Sequence, residues 1–187
     1  MSHRPAALAL SLLAVLALGA GCADNSGGPS PEGTALEEFT PAWLDAGGLS
    51  CEEYRDAAFL IHDSTEAQAF LDSSCALTAQ PVADEFLLLA DALEDTEALV
   101  VLTIELGGCL GEYGVFGFYL SDDGDTVTGW VKRADSSYGR QNVACPADIG
   151  QATELWRVMG AADATQAEIL VGVFNPSLPG APALPGG

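Results

Sequence analysis

ALVVLTIELGGCLGEYGVFGFYLSDDGDTVTGWVKR, residues 98–133, is the stretch that decides the fold. Ala98 to Leu106 is an aliphatic, β-branched run broken by Thr103 and Glu105, and it suits a central strand. Gly107-Gly108 ends it. Val115 to Leu120, with Phe116, Phe118 and Tyr119, predicts the next strand. Ser121 to Asp125 reads as a turn built on the hairpin dipeptide Asp123-Gly124. Thr126 to Arg133 then alternates as a third strand. It puts Val127, Gly129 and Val131 on one face and Trp130 on the other.

Helical patterns precede this meander. Ala57 to Ile61 predicts a short strand, after which Asp63 or Ser64 can cap a helix. Glu66 stands three residues beyond Asp63, as in a capping box, and Ala67, Phe70 and Leu71 form an apolar face that ends at Cys75. Pro81 opens a second helix, because its missing N–H costs nothing in a first turn. Val82, Phe86, Leu89 and Leu93 make one stripe along it. Thr34 to Cys51 reads as the domain's entry, with Phe39, Trp43, Leu44 and Leu49 among acids and glycines. After the meander come a loop from Ala134 to Gly150, a segment from Ala152 to Met159 that fits a strand or a short helix, and a last strand from Ala167 to Phe174. Together they predict an α+β domain with a mostly antiparallel sheet, two helices on one face and two disulfides.

The N-terminus carries an export pattern. His3 and Arg4 precede an apolar run from Ala6 to Leu18 in which Ser11 alone is polar, and small residues lead to Cys22. The run is shorter than the roughly 20 residues of a spanning helix and fits a signal peptide over residues 1–21. LALGAGC resembles a lipobox, at which a bacterial transferase attaches diacylglycerol to the cysteine thiol and a peptidase cuts before it. Leu18 lies four residues before Cys22, with Gly19 in the place the commonest form gives to leucine. The resemblance implies lipidation at Cys22 and a membrane partner held through the N-terminal lipid. With Ala23 rather than Asp after the cysteine, the expected location is the outer membrane or cell surface more than the inner membrane. Residues 22–35 read as a flexible tether rich in Gly, Ser and Pro, residues 36–175 as the domain, and residues 176–187 as a disordered Pro- and Gly-rich tail.

Composition narrows the functions. The chain has 27 Asp and Glu against six Lys and Arg, a formal net charge of −21, and loss of Arg4 with the signal takes it one unit lower. A phosphate backbone demands clustered cations, so nucleic acid is not an expected partner. A basic partner or divalent cations are favoured electrostatically, beside the plainer use of acids as a solvated surface. With Cys22 lipidated, Cys51, Cys75, Cys109 and Cys145 remain, an even set that reads as two disulfides in an exported chain. Of three pairings, Cys51–Cys75 with Cys109–Cys145 is preferred, since each closes a local loop. No C-x-x-C exists to suggest a metal or redox site.

Catalytic signatures are absent from the sequence. His62-Asp63-Ser64 contains the letters of a triad, but neighbouring residues in a capping segment do not converge. Neither G-x-S-x-G nor H-E-x-x-H occurs, and no cofactor or metal is expected. Asp122, Asp123 and Asp125 lack the spacing of a calcium loop. Aromatics gather at Tyr113, Phe116, Phe118, Tyr119 and Trp130, and the candidate partner surface is Tyr113, Tyr119 and Trp130. In order and pattern, AAFLIHDSTEAQAFL from Ala57, DEF from Asp84, ALVVLTIELGG from Ala98 and GEYGVFGFYL from Gly111 resemble the C-terminal domain of PrcB-type lipoproteins. That resemblance spans roughly residues 50–175 and implies a non-catalytic partner of an envelope protease. The expected function is therefore a non-catalytic, lipid-anchored binding or scaffold module. The alternatives are an extracytoplasmic hydrolase using paired carboxylates and a calcium-binding envelope protein.

Overall fold

Each helix begins where its start signal stands. In the computed structural model, which describes residues 29–52, 56–107, 110–135, 149–177 and 183–184, Asp63 caps α1 (Ser64–Ser74) and its carboxylate accepts the Glu66 N–H at 2.8 Å. Glu66 answers one residue further back than a regular capping box. Its carboxylate accepts the backbone N–H of His62 at 2.8 Å and meets His62 Nδ1 at 2.9 Å. α2 (Gln80–Asp91) opens with Pro81 in its first turn and buries Val82, Phe86 and Ala90, while Leu89 and Leu93 pack partly buried beside them.

Eight strands are present among the described residues. They are β1 (Thr34–Leu36), β2 (Phe39–Ala42), β3 (Ala57–Ile61), β4 (Glu97–Gly107), β5 (Leu110–Leu120), β6 (Thr126–Asp135), β7 (Ile149–Met159) and β8 (Gln166–Phe174). They form two arms. In the first, β4 pairs antiparallel with β7 along its whole length and with β3 over Leu99–Thr103, and β2 covers the far edge of β7 over Leu155–Val158. In the second, β5 pairs with β6 and β1, both antiparallel, and β8 lies parallel to β6. The arms join at the β4–β5 hairpin, where Gly107 faces Leu110, and meet again where β3 approaches β8.

β4 is buried on both faces, which explains its unbroken apolar run. Ala98, Val100, Leu102 and Ile104 face inward, between the arms, with Phe118, Val127, Val131 and Val158. Leu99 and Val101 face the helices and pack with Ile61, Phe70, Leu71 and Phe86. The α+β class, the mostly antiparallel pairing and the two helices thus follow the sequence pattern. The arms lie so close at Gly129 that a Cβ there would stand 2.9 Å from Leu102 Cδ2 and 3.3 Å from Phe118 Cε1. Arg133 on β6 ties the arms electrostatically. Its two terminal nitrogens reach the Asp56 carboxylate at 3.0 and 3.1 Å, and Nη1 also donates to Glu105 O at 2.7 Å. Asp56 holds a left-handed φ of 37°, which lets the same carboxylate accept the Glu105 N–H at 3.0 Å.

The structure refines several expectations. Of the two disulfides, Cys51–Cys75 is formed, while Cys109 and Cys145 lie outside the described residues, as do Cys22 and the signal segment. Strand pairing starts at Thr34, two residues inside the stretch read as tether. Ala152–Met159 belongs to a strand, lengthened back to Ile149 by pairing with β4. Most of the Pro- and Gly-rich tail lies outside the described residues. Among the described residues no helix is long and apolar enough to cross a membrane.

Candidate functional site

The two arms are sealed along one side only in part. β1 stops at Leu36, opposite Phe118 of β5, and β2 stops at Ala42, opposite Leu155 of β7. Past those points the seam opens into a cavity of about 660 Å³, walled by Pro41, Trp43, Leu49, Tyr113, Glu154 and Trp156 among others. Cavities of this size commonly hold small ligands or side chains.

Backbone geometry aims the polar groups. On β7, Glu154 and Trp156 alternate with Leu155 and share the inward face of Val158, so both point between the arms. On β5, Tyr113 is turned inward by a register shift. Val115 faces Val131 and Gly117 faces Trp130, so β5 carries one extra residue, Phe116, at that point. The six-residue separation of Tyr113 and Tyr119 would put them on one face of a regular strand, and the bulge reverses that. Tyr113 packs against the inner core, whereas Tyr119 meets Trp130 edge-on at 6.1 Å on the outer face.

Inside the cleft the Glu154 carboxylate accepts the Tyr113 hydroxyl at 2.8 Å and the Trp156 indole N–H at 3.0 Å. Burial pushes the Tyr113 phenol well above its usual range, and the bond to Glu154 and that residue's charge push it the same way. The phenol therefore stays protonated and donates. A carboxylate has about four lone-pair sites, so two accepted bonds leave Glu154 able to accept more. The result is a fixed negative group in a recess walled mainly by apolar and aromatic side chains.

The facing wall, residues 43–49, is held from behind. Glu85 on α2 accepts the backbone N–H of Asp45 at 2.8 Å and of Ala46 at 2.9 Å, which holds its carboxyl below the usual carboxylate range. Ser50 N–H donates to Thr78 Oγ1 at 3.0 Å, and the Cys51–Cys75 bridge follows at once. On this wall Trp43 borders the cleft and is 80% exposed.

The three residues of the expected partner surface are thus divided. Tyr119 and Trp130 lie together with Phe116, and the Lys132 ammonium sits over the Phe116 ring at 4.7 Å and the Trp130 ring at 4.3 Å. Tyr113 belongs to the cleft. Glu154, Trp156 and Trp43 are residues that sequence reasoning missed. Reading the segment after Ala152 as a strand would have put Glu154 and Trp156, two apart, on one face. His62, Asp63 and Ser64 turn to separate tasks, since Asp63 caps α1, His62 meets Glu66 and Ser64 points to Asp91. Asp123 closes its hairpin by accepting from Ser121 Oγ at 2.6 Å and Asp125 N at 3.2 Å. Among the described residues no group of three or more His, Cys, Asp or Glu could hold a metal ion. No protein family, curated protein or solved structure matches the chain.

Proposed function

We propose that this chain is a non-catalytic binding module of the bacterial cell envelope, anchored by lipid at Cys22, and that its cleft receives a cationic group on an apolar stem. The observation that carries the reading is the Glu154 carboxylate fixed by Tyr113 and Trp156 inside apolar walls. A preorganised carboxylate between aromatic rings suits an ammonium or guanidinium, which gains from both the charge and the ring faces. The acidic chain, with its net charge of −21, draws such ligands in. Acid–base turnover fits the recess less well. Tyr113 keeps its proton, and Glu154 is the one carboxylate among the described lining residues, where a glycosidase-type mechanism needs two. Support for the anchor comes from the N-terminal apolar run and the small residues before Cys22.

Two measurements test this. Hexylamine should quench tryptophan fluorescence saturably, while hexanoate should not, and Glu154→Gln should abolish the hexylamine response. Equal responses to amine and acid would refute the cleft's assignment. Metabolic labelling with palmitate should mark the wild-type chain and not Cys22→Ser, and label retained in that variant would refute the anchor.

A further inference from the structure

β7 has an edge that β2 leaves uncovered beside Glu154. Across the β2–β7 ladder, Met159 N–H donates to Glu38 O at 3.0 Å. Along an antiparallel strand every second residue turns its N–H and C=O to the same edge. Arg157 and Leu155 therefore face Thr40 and Ala42, and Thr153 is the next residue to point that way. Since β2 ends at Ala42, the Thr153 N–H and C=O face the cleft with no described strand beside them. The chain itself turns away at Trp43, toward the Asp45 and Ala46 amides held by Glu85. A free donor and acceptor of the backbone thus stand next to the fixed carboxylate.

We propose that the cleft takes an extended peptide segment of a partner protein, added to β7 as a strand in line with β2 and carrying a Lys or Arg opposite Glu154. The proposal rests on the cleft being a cation site and says what bears the cation. The register follows from the existing ladder. The first added residue beyond the place of Ala42 stands opposite Glu154, and directly opposed side chains lie on the same face, with Cβ atoms roughly 4.5–5.5 Å apart. Its side chain enters the recess toward Glu154 and Tyr113. The second added residue stands opposite Thr153 and exchanges two backbone hydrogen bonds with it. Its side chain faces the other way, toward Leu44 and Leu49, which suits an apolar residue. Main-chain bonds supply affinity and the alternate side chains supply selectivity, as in other strand-addition complexes.

The test uses the full-length chain in detergent and an acetylated, amidated tetrapeptide of sequence Lys-Val-Thr-Thr, whose lysine comes first so that no residue overlaps Pro41 and Ala42 of β2, with tryptophan fluorescence and calorimetry as readouts. The parent peptide should bind saturably. Its Lys→Glu version should show no binding, and methylating the backbone nitrogen of the valine should weaken binding about tenfold, since the methyl removes a donor and blocks strand approach. Thr153→Pro, which deletes an N–H that faces the cleft and not β4, should weaken the parent peptide more than it weakens hexylamine. Several results overturn the proposal. Indifference to N-methylation, or hexylamine binding without peptide binding, removes strand addition and leaves the cation site standing. Indifference to Lys→Glu removes the proposed register. Failure of both hexylamine and peptide to bind removes the cation site as well.

Discussion

Replacing Cys51 and Cys75 by alanine opens a cross-link between residues 24 apart in sequence. In the chain-entropy treatment a closed loop of that length costs the denatured chain about 11.6 cal/mol/K, which is about 3.5 kcal/mol at 25 °C. Two hydrogen bonds span the same seam and survive the change, Glu52 N–H to Ser74 O at 2.8 Å and Ser50 N–H to Thr78 Oγ1 at 3.0 Å. The folded geometry should therefore persist, with the loss acting mainly through the denatured ensemble. Cys75 is 1% exposed, so removing its sulfur leaves a small void that adds about 1 kcal/mol. The sum of about 4–5 kcal/mol corresponds to a melting temperature lower by roughly 10–15 °C for a domain of this size. Urea unfolding followed by circular dichroism measures both quantities. The slope of stability against urea should also rise, because the unlinked chain exposes more surface when unfolded. A loss below about 1 kcal/mol with an unchanged slope would refute the loop-closure reasoning.

Three further outcomes are expected. Tyr113→Phe removes a hydroxyl that donates to a carboxylate and should cost about 1–2 kcal/mol in chemical denaturation. The folded phenol keeps its proton beyond pH 10, near which an unfolded tyrosine loses it, so its contribution to stability is complete below about pH 10 and shrinks as pH rises above it. In absorbance at 295 nm the Tyr113 phenol should ionise only well above about pH 10, and Tyr113→Phe should remove that late step. Gly129→Val forces a side chain between Leu102 and Phe118 and should destabilise by about 1–3 kcal/mol, whereas a neutral melt would mean that the arms can separate. Arg133→Ala strands the Asp56 carboxylate and should cost about 3 kcal/mol in urea, with Arg133→Lys recovering only part because its ammonium cannot make the paired contact.

What the sequence disclosed depended on range. Local signals were sound. Asp63 and Glu66 mark the start of α1, Pro81 that of α2, Asp123-Gly124 makes a turn in which Gly124 has φ +80°, and Val127 and Val131 share an inner face. The Cys51–Cys75 pairing was legible because it closes a short loop. Features set by distant partners were hidden. β2 holds Pro41 and only four residues, too few for a pattern, and exists because β7 offers it an edge. The parallel β6–β8 pairing joins segments that nothing local connects. The cleft was least legible of all. It needs the bulge at Phe116, which swings Tyr113 inward, and it needs Glu154 from a strand more than 40 residues away. A bulge has no sequence signature strong enough to overrule simple alternation, and alternation alone groups Tyr113 with Tyr119.

The position of β1 also sets a leash. Pairing begins at Thr34, and the chain between Cys22 and that residue can stretch to at most about 40 Å when fully drawn out. If Cys22 is acylated as proposed, the domain is confined to a thin shell above the lipid, and the stem of that leash leads through β1 into β2, whose end borders the cleft. A ligand partner rooted in the same membrane would meet the site by lateral encounter at high local concentration, while one free in the medium would have to find it within that shell.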